Sequence, residues 1–231
     1  MTSMAQREFS SRPISRAAAA IHWLVVLEVC WVLASLPGLV LLLLLAPDAS
    51  NIPLVALALV PLGPATGAVV YSWRAFGDDG DPEPARYFLR GYRRCAWDVL
   101  RWWLPALAAL TLLGINLTNL DAVTGPPALR TVLGAVSAAV GLGLIVAGGH
   151  AVVISSLYSL RTRDVARLSI YYLTAKPMAS IGVAALVAVI VGAALGVSDW
   201  LPVLAAAPLI WLLLRGERPV RDHLEENFID A

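Results

Sequence analysis

Val60-Pro61-Leu62-Gly63-Pro64-Ala65-Thr66-Gly67-Ala68, continued through Tyr71-Ser72-Trp73-Arg74 to Trp103, is the stretch on which the reading of the chain turns. It starts inside an apolar run, leaves that run at Trp73-Arg74, and becomes the most basic and aromatic part of the sequence. Pro61 and Pro64 each remove a backbone donor from a run long enough to cross a bilayer. A kink or break is expected there, with the released carbonyls taking partners from protein or water, because lipid offers none. Such a span belongs inside a bundle. Gly63 and Gly67, four residues apart, would let another helix backbone approach closely, and Thr66 is able to bond back to its own helix. A discontinuous helix of this kind lines the substrate site of some transporters; more commonly it is a packing kink.

Working outward, the composition fits the same setting. Hydrophobic residues make up 59% of the 231-residue chain against 14% charged, and the mean hydropathy is +0.75, outside the range of soluble domains. The expectation is an all-α, polytopic membrane bundle in a single domain. Six apolar runs fall at 21–46, 52–73, 102–120, 131–160, 177–197 and 201–214, against about 20 residues needed per crossing. The last run is short. The first exceeds the apolar core of a signal peptide and is read as a retained helix. With six crossings, Arg7, Arg12 and Arg16, the arginines from Arg74 to Arg101, the basic residues from Arg161 to Lys176, and Arg215, Arg218 and Arg221 all lie on one side, leaving Arg130 alone on the other. Both termini are therefore expected in the cytoplasm. Trp23, Trp73, Trp102 and Trp103 would then sit at the inner interface and Trp200 at the outer one, as an aromatic belt.

Polar residues inside the runs are few. Glu28 in the first run reads either as a functional intramembrane carboxylate or as a carboxylate near a helix end, wetted or bonded for structural reasons. The same run holds a Leu36-Pro37-Gly38 break signal. Asn116 lies in the third run and His150 in the fourth, and His150 falls at a depth that would allow a pair with Glu28. Glu28, Thr66, Asn116 and His150 are thus the candidate polar site. Ser180, Ala184, Ala188, Gly192 and Gly196 form a small-residue stripe, a close-packing face within the bundle or against a second copy. His22, His150 and His223 sit on separate segments without metal-ligand spacing, and Cys30 and Cys95 suggest no disulfide. No nucleotide loop or hydrolase motif occurs, so neither a cofactor nor a catalytic constellation is expected.

Two segments outside the runs carry the charge. Residues 85–101 place Phe88, Tyr92, Cys95, Val99 and Trp102 on one helical face and Arg86, Arg90, Arg93 and Arg94 off it. Residues 162–176 repeat the design with Val165, Leu168 and Tyr172 beside Arg163 and Arg167. Both read as amphipathic helices on the inner leaflet, their arginines meeting anionic headgroups or an acidic partner. The acidic stretch Gly77-Asp78-Asp79-Gly80-Asp81-Pro82-Glu83 reads as a solvated turn and lacks the ligand spacing of a calcium loop. Arginines whose neighbours need lipid or protein contact do not describe a nucleic-acid surface.

The chain resembles the YesL-type family of bacterial integral membrane proteins in three places. These are Trp31 with Ser35-Leu36-Pro37, Gly63-Pro64-Ala65-Thr66-Gly67-Ala68, and Tyr87-Phe88-Leu89-Arg90-Gly91-Tyr92-Arg93-Arg94. It departs from that family in the two dozen or so mostly apolar residues between the first two elements. The resemblance implies a multi-pass protein of the bacterial cytoplasmic membrane, an accessory or regulatory component near carbohydrate importers of the ABC type, without assigned catalytic residues. A small-solute or ion transporter acting through the proline-broken second run is the alternative.

Overall fold

The computed structural model describes residues 13–46, 48–78, 83–123 and 125–226. Arg7 and Arg12, and the turn residues Asp79 to Pro82, lie outside them. Among the described residues the chain is all-α and contains no strand. Its helices are α1 (Pro13–Leu44), α2 (Ile52–Leu59), α3 (Leu62–Asp78), α4 (Pro84–Thr118), α5 (Pro127–Leu157), α6 (Thr162–Ala175), α7 (Pro177–Gly196), α8 (Leu201–Leu204), α9 (Ala206–Gly216) and α10 (Arg218–Leu224).

Five segments are long and apolar enough to cross a membrane: Ala17–Leu44, Ala49–Phe76, Pro84–Thr118, Pro127–Leu157 and Pro177–Gly196. The sixth run departs from expectation. It folds as the four-residue α8, a turn at Ala205, and the 11-residue α9. At 1.5 Å per residue α9 covers about 16 Å, roughly half of a hydrocarbon core about 30 Å thick.

The proline signals have different outcomes. Pro37 sits inside α1, which runs through it to Leu44 without the expected break. Gly38 explains the tight geometry there, since a Cβ at this position would collide with the Ala58 carbonyl oxygen and lie 2.8 Å from Pro61 Cγ. In the second run the helix does stop, at Val60-Pro61 between α2 and α3.

Residues 85–101 form no separate surface helix. They are the first half of α4, one helix of 35 residues with Pro105 inside. That helix measures about 52 Å, about 20 Å longer than a hydrocarbon core about 30 Å thick. Nothing between Trp97 and Leu104 breaks it. Its apolar face is turned to protein: Tyr87, Phe88, Cys95, Val99 and Trp102 are all buried in the core.

That core lies at the arginine-bearing end, where α1, α3, α4, α5 and α9 converge. Trp23 packs between Trp73, Phe76 and Tyr87 at centroid distances of 6.4, 5.1 and 5.7 Å. The aromatic belt expected from sequence is therefore mostly interior, because Trp23, Trp73 and Trp102 are each at most 7% exposed. For Trp73 and Trp102 the indole N–H groups explain why burial is tolerated. Trp73 donates to the Ala207 carbonyl (3.3 Å), Trp102 to Ser155 Oγ (3.0 Å), and the partly buried Trp103 to the Leu59 carbonyl (3.1 Å). Leu59 is the last residue before the break, so Trp103 supplies a donor where the helix loses its own. Toward the other end the outer parts of α5 and α7 expose Val132, Val136, Val140, Val189 and Leu195.

Candidate functional site

Two carboxylates, Glu28 and Glu217, lie at the two ends of α9. Its N-terminus, like that of any helix, presents unsatisfied N–H groups. Glu28 of α1 meets them, accepting from Ala207 N at 2.6 Å and from Ala206 N at 3.2 Å. A carboxylate at a helix N-terminus is favoured both by these bonds and by the positive end of the helix dipole. Glu28 is thus a cap supplied by a neighbouring helix.

At the other end of α9, Glu217 is fully buried and faces His150 of α5, also fully buried. Both Glu217 carboxylate oxygens lie 2.9 Å from His150 Nδ1. The opposite ring nitrogen, Nε2, lies 3.0 Å from Ser180 Oγ at the start of α7. Ser180 Oγ in turn donates toward the carbonyls of Tyr172 and Leu173, at 3.2 and 3.3 Å, in the last turn of α6. Four helices are joined by one line of polar groups.

A third contact fastens the segment after α10. Glu225 accepts from Tyr158 Oη at 2.7 Å and pairs with Arg74 Nη2 at 3.4 Å. Burial and the Glu225 carboxylate push the Tyr158 phenol up to about 12. The ends of α3, α5 and α10 are thereby drawn together, and Val220 and Leu224 are sealed beneath them.

Glu28 and His150 do not meet. They contact opposite ends of α9, about 16 Å apart along an 11-residue helix. Thr66 accepts from Trp31 Nε1 at 3.2 Å, tying α3 to α1. Asn116 is exposed near the end of α4, remote from the other three. The four polar candidates accordingly occupy separate places and not one site.

The packing candidates divide as well. A Cβ on Gly63 would fall 2.6 Å from Trp103 Cδ1, and one on Gly67 would fall 2.8 Å from Ser156 Oγ. At those two positions the absence of a side chain allows α3 to seat against α4 and α5. Among the described residues nothing lies within 4 Å of where a Cβ on Gly192 or Gly196 would stand, so the outer part of the small-residue stripe packs on none of them. Arg86, Arg90, Arg93, Arg94, Arg163 and Arg167 are all exposed. Arg90 lies over the Tyr87 ring and Arg94 over the Tyr71 ring, at 5.4 and 5.9 Å.

Beside the α2–α3 break lies a cavity of about 280 Å³ with an almost wholly apolar lining that includes Leu62, Gly63, Thr66, Trp103, Ile145 and Gly149.

Glu217, Ala206 and Ala207 are the contact positions that sequence reasoning missed. Glu217 sits in a basic, tail-like context, Arg215-Gly216-Glu217-Arg218, and nothing local marks it as buried. Ala206 and Ala207 act through their backbone, which carries no sequence signal. Scans against protein-family models, curated proteins and solved structures find no match for this chain.

Proposed function

We propose that the chain is an accessory or regulatory subunit of a bacterial cytoplasmic membrane, associated with carbohydrate uptake and acting on an importer of the ABC type. One observation carries the subunit part of this reading. The intramembrane groups suited to handling a solute are already engaged in holding the bundle together: Glu28 with α9, Thr66 with Trp31, and His150 with Glu217 and Ser180. What is presented outward is apolar surface on α5 and α7 and a row of exposed arginines on α4. Those are features for contact with a neighbour. The link to carbohydrate uptake is supported by the YesL-type resemblance alone. Anionic lipids at the inner face would share the arginine surface with a protein partner, and a second copy of the chain is the other candidate for the α7 stripe.

Crosslinking in native membranes followed by affinity isolation tests the reading. Importer subunits are expected among the crosslinked species, and isolation of the chain without any crosslinked protein would count against it.

The second reading, a small-solute or ion transporter in its own right, is favoured by the cavity at the helix break. It requires solute flux into liposomes containing this protein only. Flux that Glu28→Gln leaves unchanged would remove Glu28 from that mechanism.

A further inference from the structure

The cavity at the α2–α3 break is walled by three helices: Leu62 and Gly63 of α3, Trp103 and Ala106 of α4, and Ile145 and Gly148 of α5 face it. Glycine shapes two of these walls. A Cβ on Gly63 would lie 2.6 Å from Trp103 Cδ1, so the indole rests against bare backbone there. A Cβ on Gly148 would have its nearest neighbour, Trp102 Cζ3, at 3.8 Å, so the space beside Gly148 stays open. Protein interiors are close-packed, and voids larger than one water, about 30 Å³ of liquid, are few. At about 280 Å³ this one is far larger.

The lining selects what can occupy it. No residue facing the cavity is charged. Trp103 Nε1 donates to the Leu59 carbonyl at 3.1 Å, Trp102 Nε1 donates to Ser155 Oγ at 3.0 Å, and Thr66 Oγ1 accepts from Trp31 Nε1 at 3.2 Å. An ion or polar solute would give up its hydration for groups that already have partners. Water is disfavoured too, since an apolar cavity of about 150 Å³ stays dry and takes up benzene. A helix about 10 Å across is too wide to enter. The mouth lies between α4 and α5, where Ile145 is 39% exposed and Ala106, Leu110 and Leu144 are half-buried. Both helices belong to segments long and apolar enough to cross a membrane, so the opening faces hydrocarbon. From Trp102 to Leu110 on α4, and from Leu144 to Val152 on α5, the lining runs about 12 Å along each helix. Its shape suits a chain.

We infer that this cavity is a binding site for one acyl chain of a membrane lipid, inserted between α4 and α5 toward the α2–α3 break. The chain is held by dispersion contacts with the walls, which the empty cavity forgoes. It lies against Trp103, whose indole gives the Leu59 carbonyl its donor at the end of α2, so a bound chain buttresses the joint between α2 and α3. The inference does not depend on the accessory-subunit reading, and it is separate from headgroup contact at the exposed arginines of α4.

A phospholipid with a photoreactive diazirine in its acyl chain, incorporated with the full chain into nanodiscs, tests the site. After irradiation, peptide mapping should find adducts on residues 102–110 and 144–152, besides those on the exposed Val189 and Leu195 of α7. Gly148→Leu fills the cavity from α5, and Ala106→Leu fills it from α4. Each should cut the lining adducts by about tenfold or more, as displacing about two buried methylenes does, with the α7 adducts and the far-ultraviolet helix signal unchanged. If one filled variant misfolds, the other still decides. An unlabelled lining beside a labelled α7 would overturn the inference. So would lining adducts that the filled variants retain, which would mark lipid outside the bundle only. Reaction of Ala106→Cys with a membrane-impermeant maleimide, above the background of Cys30 and Cys95, would also overturn it by making the cavity aqueous.

Discussion

Glu28→Ala removes two hydrogen bonds from one helix end, and the structure sets the size of the effect. The carboxylate accepts from Ala207 N at 2.6 Å and Ala206 N at 3.2 Å. Bonds to a charged acceptor contribute about 1.5–3 kcal/mol each, and an orphaned donor away from water costs about 1–3 kcal/mol. Helix capping on exposed helices, at about 1 kcal/mol, is the lower bound. Taking the shorter bond at full value and the longer one at a fraction, local opening of the start of α9 should become easier by about 3 kcal/mol, or roughly a hundredfold. Glu28→Gln keeps one acceptor oxygen but no charge, and should lose about half of that. Residue-resolved amide exchange in nanodiscs gives the readout, with Ala206 and Ala207 as reporters and the core of α3 as internal control. Protection at Ala206 and Ala207 unchanged in Glu28→Ala would refute the cap, and with it the idea that α1 fixes where α9 begins.

Three further outcomes follow from the same geometry. Gly38→Ala drives a methyl group into the Ala58 carbonyl and should lower the thermal midpoint through about 1–3 kcal/mol of overpacking, whereas Gly192→Ala, with open space around it, should stay within about 0.5 kcal/mol. Tyr158 is raised from 10.0 to about 12, so its contribution to stability is complete below pH about 10 and is lost as pH rises toward 12; ultraviolet absorbance should show a late-titrating tyrosinate that Tyr158→Phe removes, and identical curves for the two proteins would sink the assignment. Replacing Arg90, Arg93 and Arg94 with glutamine should weaken retention of anionic lipid by about 1 kcal/mol per charge, roughly a hundredfold in all, with the helix signal preserved; unchanged lipid retention in native mass spectrometry would remove the arginines from lipid contact.

Much of the fold is legible in apolar run length, since five of the six runs fall in segments long and apolar enough to cross a bilayer. Helical periodicity also places Phe88, Cys95, Val99 and Trp102 on one face of α4 and Arg86, Arg90 and Arg93 off it. Periodicity names a face without naming what covers it. An apolar stripe reads the same against lipid and against protein, which is why the first half of α4 looks like a surface helix in sequence and is a core helix in structure. Tryptophan is ambiguous for a related reason: an interface offers its indole N–H water, while this core offers it the Ala207 carbonyl, Ser155 and the Leu59 carbonyl. The polar contacts are the least legible part. Glu28 and His150 stand out as charges in apolar runs, but their partners are two backbone amides and a glutamate 67 residues away in a basic tail. Neither kind of partner leaves a pattern.

Glu217 and His150 act as one buried unit that holds the C-terminal helices in the bundle. A double-mutant cycle on His150→Gln and Glu217→Gln, read by reversible unfolding in mild detergent, tests that directly. Each single change should cost about 3 kcal/mol or more, because it strands a buried partner, while the double variant should cost little more than either alone. Costs that simply add would contradict it.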